Sequence, residues 1–173
     1  MNAMAHSSVD LISLFAATFQ ARYNTVLVGG GEEPVYLPAD DDCPRHRIVF
    51  TRDYFASALH EIAHWCIAGE QRRRQVDYGY WYQPDGRDAE QQAVFQQVEA
   101  RPQAIEWAFS LACNAPFRIS LDNLDGDAGD AEPFRQRVLE TRLTMEKTGF
   151  PPRAKQFIAV LRSHYRSQER KSA

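Results

Sequence analysis

The stretch Phe55-Ala-Ser-Ala-Leu-His-Glu-Ile-Ala-His-Trp-Cys-Ile-Ala-Gly69 decides the fold, because it predicts a helix whose apolar stripe packs in a core. The stripe repeats at helical spacing and comprises Phe55, Leu59, Ile62 and Cys66. At about 100° per residue, His60 and His64 project away from that stripe. The only charged residue is Glu61, and a helix that is apolar nearly all round is buried. Polar groups buried in this way need partners.

The two histidines form the pattern His-Glu-x-x-His. Positions i and i+4 of a helix lie on one face with Cβ atoms about 5–6 Å apart, so His60 and His64 can bind one metal ion. Two imidazoles suit zinc or iron. A downstream carboxylate is expected as third ligand, and Glu99 and Glu106 are equal candidates, since they share a face if one helix carries both. Pro102 between them leaves that continuity open.

Composition predicts one globular domain spanning residues 1–173, able to bury roughly 70% of the surface of the unfolded chain. Hydrophobic residues make up 44%, and no apolar run is long enough to span a membrane. The net charge of −3 argues against direct binding of nucleic acid. Three widely spaced cysteines indicate reduced thiols, and the N-terminus has no signal-peptide pattern, so a cytoplasmic location is expected.

Before the histidine helix, the pattern predicts a helix from Val9 to about Arg22 that is capped by Ser8. Three short strands follow, at Thr25–Val28, Pro34–Leu37 and His46–Phe50, with Gly29–Gly31 as a turn. The expected fold class is therefore α+β: a small, mostly antiparallel sheet packed with the buried His-Glu-x-x-His helix and several further helices.

After the histidine helix, Gly69 is the expected C-cap. Asp88 and Gln91 have the spacing of a capping box, which predicts a helix from Ala89 towards Ala100. Pro102 marks a break or the first turn of a further helix. The remaining predictions are a helix at 102–114, a strand at Phe117–Ser120, a flexible loop at 122–130, helices at 132–147 and 152–166, and fraying at about 1–7 and 167–173.

The segment between these helices is rich in aromatic and basic residues. Tyr78, Tyr80, Trp81 and Tyr82 are either core filler or a wall beside the metal, where an acid such as Asp77 or Asp85 could hold a cationic side chain. The cluster Arg72–Arg74 is either a solvated loop or a surface that docks an anionic macromolecule.

Several runs together resemble the elongation factor P hydroxylase family. They are His60-Glu-Ile-Ala-His-Trp-Cys-Ile-Ala-Gly69, Asp77-Tyr-Gly-Tyr-Trp-Tyr82, Pro84-Asp-Gly-Arg87 and Val98-Glu-Ala-Arg-Pro-Gln-Ala104, and the similarity extends through Pro34–Asp40, Arg47–Phe50 and Asp122–Leu124. The resemblance implies a non-haem iron enzyme that uses molecular oxygen to hydroxylate the modified, lysylated lysine of its protein partner, elongation factor P. It also implies that the metal ligands are His60, His64 and Glu99.

If the protein is such a hydroxylase, we expect the partner protein to present the lysine across the aromatic and basic segment. The expected residues are Arg72, Arg73, Tyr78, Tyr80, Trp81, Tyr82, Asp85 and Arg87. The pattern identifies no reductant. Zinc uses the same ligands as iron, so a preparation can carry either metal.

Glu61 is the candidate catalytic residue and carries the alternative hypothesis. In a zinc-dependent, peptidase-like hydrolase, this glutamate is the general base for the metal-bound water. In a hydroxylase it would orient a bound water or ligand. A non-enzymatic module with a structural metal is the third possibility.

Overall fold

The computed structural model describes residues 5–79, 88–121 and 131–172 and confirms the α+β fold class. The chain begins with α1 (Ser8–Phe15), which continues through a π-helical turn (Ala16–Gln20) into α2 (Ala21–Tyr23). The later elements are β1 (Thr25–Gly31), β2 (Val35–Leu37), β3 (His46–Thr51), α3 (Phe55–Ile67), a 3-10 turn (Arg72–Arg74), α4 (Ala89–Ala112), α5 (Ala131–Thr148) and α6 (Pro152–Ser172).

The first helix begins one residue earlier than predicted. Ser7 rather than Ser8 is the N-cap, and its hydroxyl accepts a hydrogen bond from the Val9 N–H at 3.2 Å. The helical run ends where Asn24 adopts a left-handed conformation with φ of 48°. This turn leads the chain directly into β1.

The sheet is mixed rather than mostly antiparallel. Its strand order is β1-β3-β2, with β1 parallel and β2 antiparallel to the central β3. The prediction of a turn at Gly29–Gly31 is wrong, because these residues form the irregular end of β1. A Cβ atom at Gly29 would lie 2.8 Å from the Phe50 ring and 2.9 Å from the Arg52 carbonyl, so the close approach of the two backbones requires glycine there.

Helix α3 packs its apolar face into the main core. Phe15 and Phe19 contact Trp65, with ring centroids 5.1 and 5.0 Å apart. Ser57 ties the helix to β3 by accepting the Thr51 N–H at 3.1 Å. The helix ends at Ile67, and its C-cap is Ala68 rather than the predicted Gly69.

Helix α4 runs through Pro102 without a break, so the predicted division into two helices is wrong. Proline lacks an N–H and normally weakens a helix interior, but here Pro102 is buried and the helix continues through it. The predicted capping box of Asp88 and Gln91 is confirmed. As a result, Glu99 and Glu106 belong to one helix.

Two further predictions differ from the structure. Phe117–Ser120 is not a strand, and the backbone of Ser120 forms hydrogen bonds with the side chain of Gln103 on α4. Helix α6 extends beyond Arg166 to Ser172, and the fraying of that end stays a prediction. Within the described ranges, no helix combines the length and apolarity that crossing a membrane demands.

Candidate metal centre

His60 and His64 lie one turn apart on α3 at the edge of the core. Their Nε2 atoms are 3.0 Å apart, and their side chains are 20% and 15% exposed. Two lone pairs cannot face each other at this distance without a proton or a cation between them. The pair is therefore arranged to share a positive species.

Glu99 of α4 completes the cluster. Its Oε1 atom lies 3.0 Å from His64 Nε2, its Oε2 atom lies 3.6 Å from His60 Nε2, and the residue is only 3% exposed. One ligand atom from each of the three residues falls within 4.8 Å of the others. Three ligands with bonds of about 2.1 Å to one ion would be about 3.0 Å apart at right angles and about 3.4 Å apart at tetrahedral angles. The donor atoms therefore fit a single metal ion.

Glu106 occupies the far side of the His60 ring. Its Oε1 atom lies 2.6 Å from His60 Nδ1, so Nδ1 carries the proton and the Nε2 lone pair faces the cluster. Seven residues of helix rise about 10.5 Å, which spaces Glu99 and Glu106 two turns apart on one face. The His60 ring lies between them. This geometry separates the two carboxylates that spacing left equal: Glu99 faces the cluster, and Glu106 orients a histidine.

Gln103 lies between the two glutamates and is 1% exposed. Its Oε1 atom accepts the Ser120 N–H at 2.9 Å, which fixes the orientation of the amide. Nε2 then donates to the Ser120 carbonyl at 2.7 Å and to Glu99 Oε2 at 3.2 Å. The Gln103 amide therefore restrains the Glu99 carboxylate and also fixes the backbone of Ser120, in the segment after α4.

The electrostatics of the cluster follow from burial and from opposite charges. Burial raises the pKa of Glu99, but His64 and His60 outweigh it and lower that pKa to about 2. Burial also opposes protonation of His60, yet the hydrogen bond and charge of Glu106, together with Glu99 and Glu61, hold its pKa well above the usual value. Without an ion, the buried carboxylates therefore attract a proton to the histidine pair. A metal cation would satisfy the same negative field.

A pocket opens beside His64, with Glu61 in its wall. The wall also includes Tyr36, Trp65, Ala68, Arg73 and Asp77. Burial raises the pKa of Glu61, against the lowering effect of the two histidines. This placement lets Glu61 contact a ligand that reaches the cluster.

The predicted substrate-binding residues are only partly covered by the structure. Arg72 lines the pocket but is paired with Asp77, which also accepts the Gly79 N–H at 2.8 Å. Arg73 lines the pocket as well. Tyr78 is 46% exposed and lies in the sequence between Asp77 and Gly79, which both line the pocket. Tyr80, Trp81, Tyr82, Asp85 and Arg87 lie outside the described residues. The role of the whole set stays a prediction.

The sequence analysis missed one residue of the site and the role of another. Gln103 and the orienting role of Glu106 became visible only when α3 and α4 were placed together. A signal did exist: Glu99, Gln103 and Glu106 repeat at helical spacing among apolar residues, and buried polar groups at such positions require partners.

Two comparisons relate this chain to known proteins. A profile of the family described as Elongation factor P hydroxylase matches residues 14–173. The chain is 45% identical over 166 residues to the elongation factor P lysine hydroxylase of Haemophilus influenzae, covering 96% of this chain and 93% of that protein. The matched region contains both histidines of α3 and the three polar residues of α4. The chain therefore belongs to the elongation factor P hydroxylase family.

Proposed function

We propose that this protein is an iron-dependent oxygenase that hydroxylates the lysylated lysine of elongation factor P in the cytoplasm. The observation that carries the proposal is the convergence of two imidazoles and one carboxylate in a chain that belongs to this family. Two histidines and one carboxylate on one face of a metal leave open positions and are typical of non-haem Fe(II) oxygenases.

His60, His64 and Glu99 would hold the ion. When bound, Fe(II) with open positions supplies the activation of molecular oxygen that attack on an unactivated C–H bond requires. Glu106 keeps the proton of His60 on Nδ1, and Gln103 restrains the Glu99 carboxylate. These contacts set the donor atoms in place before the ion arrives.

The pocket beside His64 would admit the substrate side chain. Tyr36 and Trp65 provide aromatic faces in the wall of the pocket. Glu61 and Asp77 provide carboxylates that suit a side chain bearing an amine. Asp77 is already bonded to Arg72, which leaves Glu61 as the carboxylate better placed to orient a water or an amine next to the cluster.

The test is the mass of elongation factor P isolated from cells that lack the native enzyme and express this protein. The expected result is a gain of one oxygen atom on the lysylated lysine. Glu99→Ala should abolish the gain, whereas Lys155→Ala, at an exposed position on α6, should preserve it. An unmodified mass with the wild-type protein, expressed and folded, would overturn the proposal.

A zinc-dependent hydrolase is the second candidate, because Glu61 lies in the pocket wall with a raised pKa, as suits a general base. The two candidates differ in their need for oxygen. Cleavage of peptides under anaerobic conditions by the zinc-loaded protein would favour the hydrolase. Turnover that stops without oxygen and returns with Fe(II) would favour the oxygenase.

A further inference from the structure

Three arginines from distant parts of the chain surround Tyr23 at the end of α2. The guanidinium carbons of Arg22, Arg73 and Arg153 lie 5.4, 5.8 and 5.7 Å from the centre of the Tyr23 ring. Arg73 and Arg153 both donate to the carbonyl of Ala68, at 2.5 and 2.6 Å, and so bind the C-terminal end of α3. We call these three residues the Tyr23 arginine cluster.

Among the described residues, no carboxylate neutralises the positive charge of this cluster. In the part of the chain that the structure describes, no Asp or Glu oxygen lies within 4.0 Å of any of its three guanidinium groups. By contrast, Arg72 pairs with Asp77, and Arg74 pairs with Glu70. In the run Arg72–Arg74, the first and last arginines therefore form ion pairs with carboxylates of this chain, whereas Arg73 forms none with the described residues.

One member of the cluster has unused hydrogen-bonding capacity. Arg153 Nη1 is buried and has no hydrogen-bond partner among the described residues. Burial lowers the pKa of Arg153, and the charge of Arg73 lowers it further. An anion placed against the exposed side of the cluster would relieve the charge repulsion between Arg73 and Arg153.

The cluster lies next to the pocket that leads to the metal ligands. Arg73 and Ala68, the residue whose carbonyl binds two of the arginines, belong to the same pocket wall as Glu61 and His64. A group bound to the cluster would therefore lie beside the pocket whose wall includes Glu61 and His64.

We propose that the Tyr23 arginine cluster docks an acidic segment, rich in Asp or Glu, on the surface of the protein substrate. Arginine forks bind carboxylates in a bidentate way, and matched charges raise the rate of encounter. Three cations suit a short acidic segment, whereas the net charge of −3 gives this chain no overall positive field to attract nucleic acid. This inference rests on the proposed function, because it assigns the partner of the same site.

The test compares Arg22→Glu with Arg162→Glu in steady-state hydroxylation of lysylated elongation factor P. Arg22 is exposed and contacts only the Tyr23 ring among the interactions described, so its reversal should leave the fold intact. Arg162 is exposed on α6, about 13 Å along that helix from Arg153, and gives the same change in charge. Melting curves check that both variants fold.

Arg22→Glu should raise KM about tenfold and leave kcat within about twofold, and it should reduce the dependence of KM on salt. Arg162→Glu should change neither. Polyglutamate should compete with the substrate more strongly for the wild-type protein than for Arg22→Glu.

An unchanged KM in Arg22→Glu, or an equal rise in both variants, would overturn the docking proposal while wild-type turnover still supports the proposed function. Competition by RNA that disappears in Arg22→Glu, without competition by polyglutamate, would also overturn it by assigning a nucleic acid. Absence of wild-type turnover would instead count against the proposed function itself.

Discussion

Helices α3 and α4 contribute to the candidate metal centre in different ways. α3 displays His60 and His64 one turn apart, with part of each side chain exposed and with His64 in the pocket wall. α4 carries a buried polar row in which Glu99, Gln103 and Glu106 are 3%, 1% and 8% exposed. The first helix presents donor atoms, and the second fixes their positions. A short sequence pattern can indicate the first role, whereas the second depends on how two helices pack.

Loss of a histidine from α3 is expected to have the largest effect. His64→Ala removes one candidate ligand and leaves the buried Glu99 carboxylate without its nearest imidazole partner, 3.0 Å away. Metal content should fall to background, and turnover should fall by more than the roughly 10–100-fold that loss of an outer partner costs. Elemental analysis and the hydroxylation assay measure this. Retention of one tightly bound ion by His64→Ala would mean that α3 does not supply the donors as described.

The orienting role of α4 is tested by two changes at Glu106. Glu106→Ala removes the acceptor for His60 Nδ1 and should weaken metal affinity about 10–100-fold. Glu106→Gln keeps an oxygen for that hydrogen bond and should retain most of the affinity. Isothermal titration with the divalent metal separates the two variants. Ser110→Ala, which removes a hydroxyl bonded to the Glu106 backbone carbonyl, is the matched control on the same helix. Equal losses in both Glu106 variants would show that the charge, and not the orientation, is what matters.

A smaller effect is expected at Gln103. Gln103→Leu leaves both backbone groups of Ser120 without the amide and removes a hydrogen bond from Glu99. The free energy of unfolding should fall by about 1–3 kcal/mol, as is typical when buried polar groups lose their partners. Urea denaturation of the metal-free protein measures this change. Gln103→Glu should be at least as destabilising, since it sets a second carboxylate against Glu99. A stability equal to wild type in both variants would contradict the bridging role of the amide.

The smallest effect is expected for the reactivity of two buried thiols, one on α3 and one at the end of α4. Cys66 lies on the buried face of α3 and Cys113 caps α4, and burial raises the pKa of each to about 12. Since only the thiolate reacts, about one in ten thousand of these groups is reactive at pH 8, and the rate should rise about tenfold per pH unit. A thiol reagent should label the partly exposed Cys43 at once and all three cysteines after denaturation. Rapid labelling of Cys66 in the native state would show that α3 opens far more readily than its packing indicates.

The sequence was most informative where the signal is local. The apolar stripe predicted α3 at its correct start, and the spacing of Asp88 and Gln91 predicted the start of α4. The β-branched and aromatic runs located all three strands within two or three residues. The histidines were assigned to one face by helical periodicity alone. In each case the interaction involves residues close together in the chain.

Tertiary contacts explain the predictions that failed. Gly29–Gly31 reads as a turn from its composition, but the ring of Phe50 and the backbone of Arg52 allow only glycine at Gly29, inside a strand. Pro102 has a strong local tendency to end a helix, and packing around it prevails. The role of Glu106 depends on His60, 46 positions away, and no local pattern reveals that distance. The run Arg72–Arg74 likewise gave no indication that Arg153 joins Arg73 at one carbonyl.

The origin of the ligands on two different helices also has a consequence for the cell. An ion held by both α3 and α4 ties them together and binds only the folded chain, so it adds to the free energy of unfolding, by about 2.7 kcal/mol at a hundredfold excess over Kd. Chains that fold without metal would unfold more often and would be exposed more often to proteases. The supply of metal would thus set the lifetime of this protein as well as its activity. When metal is scarce, metal-free chains would be degraded faster than metal-bound chains.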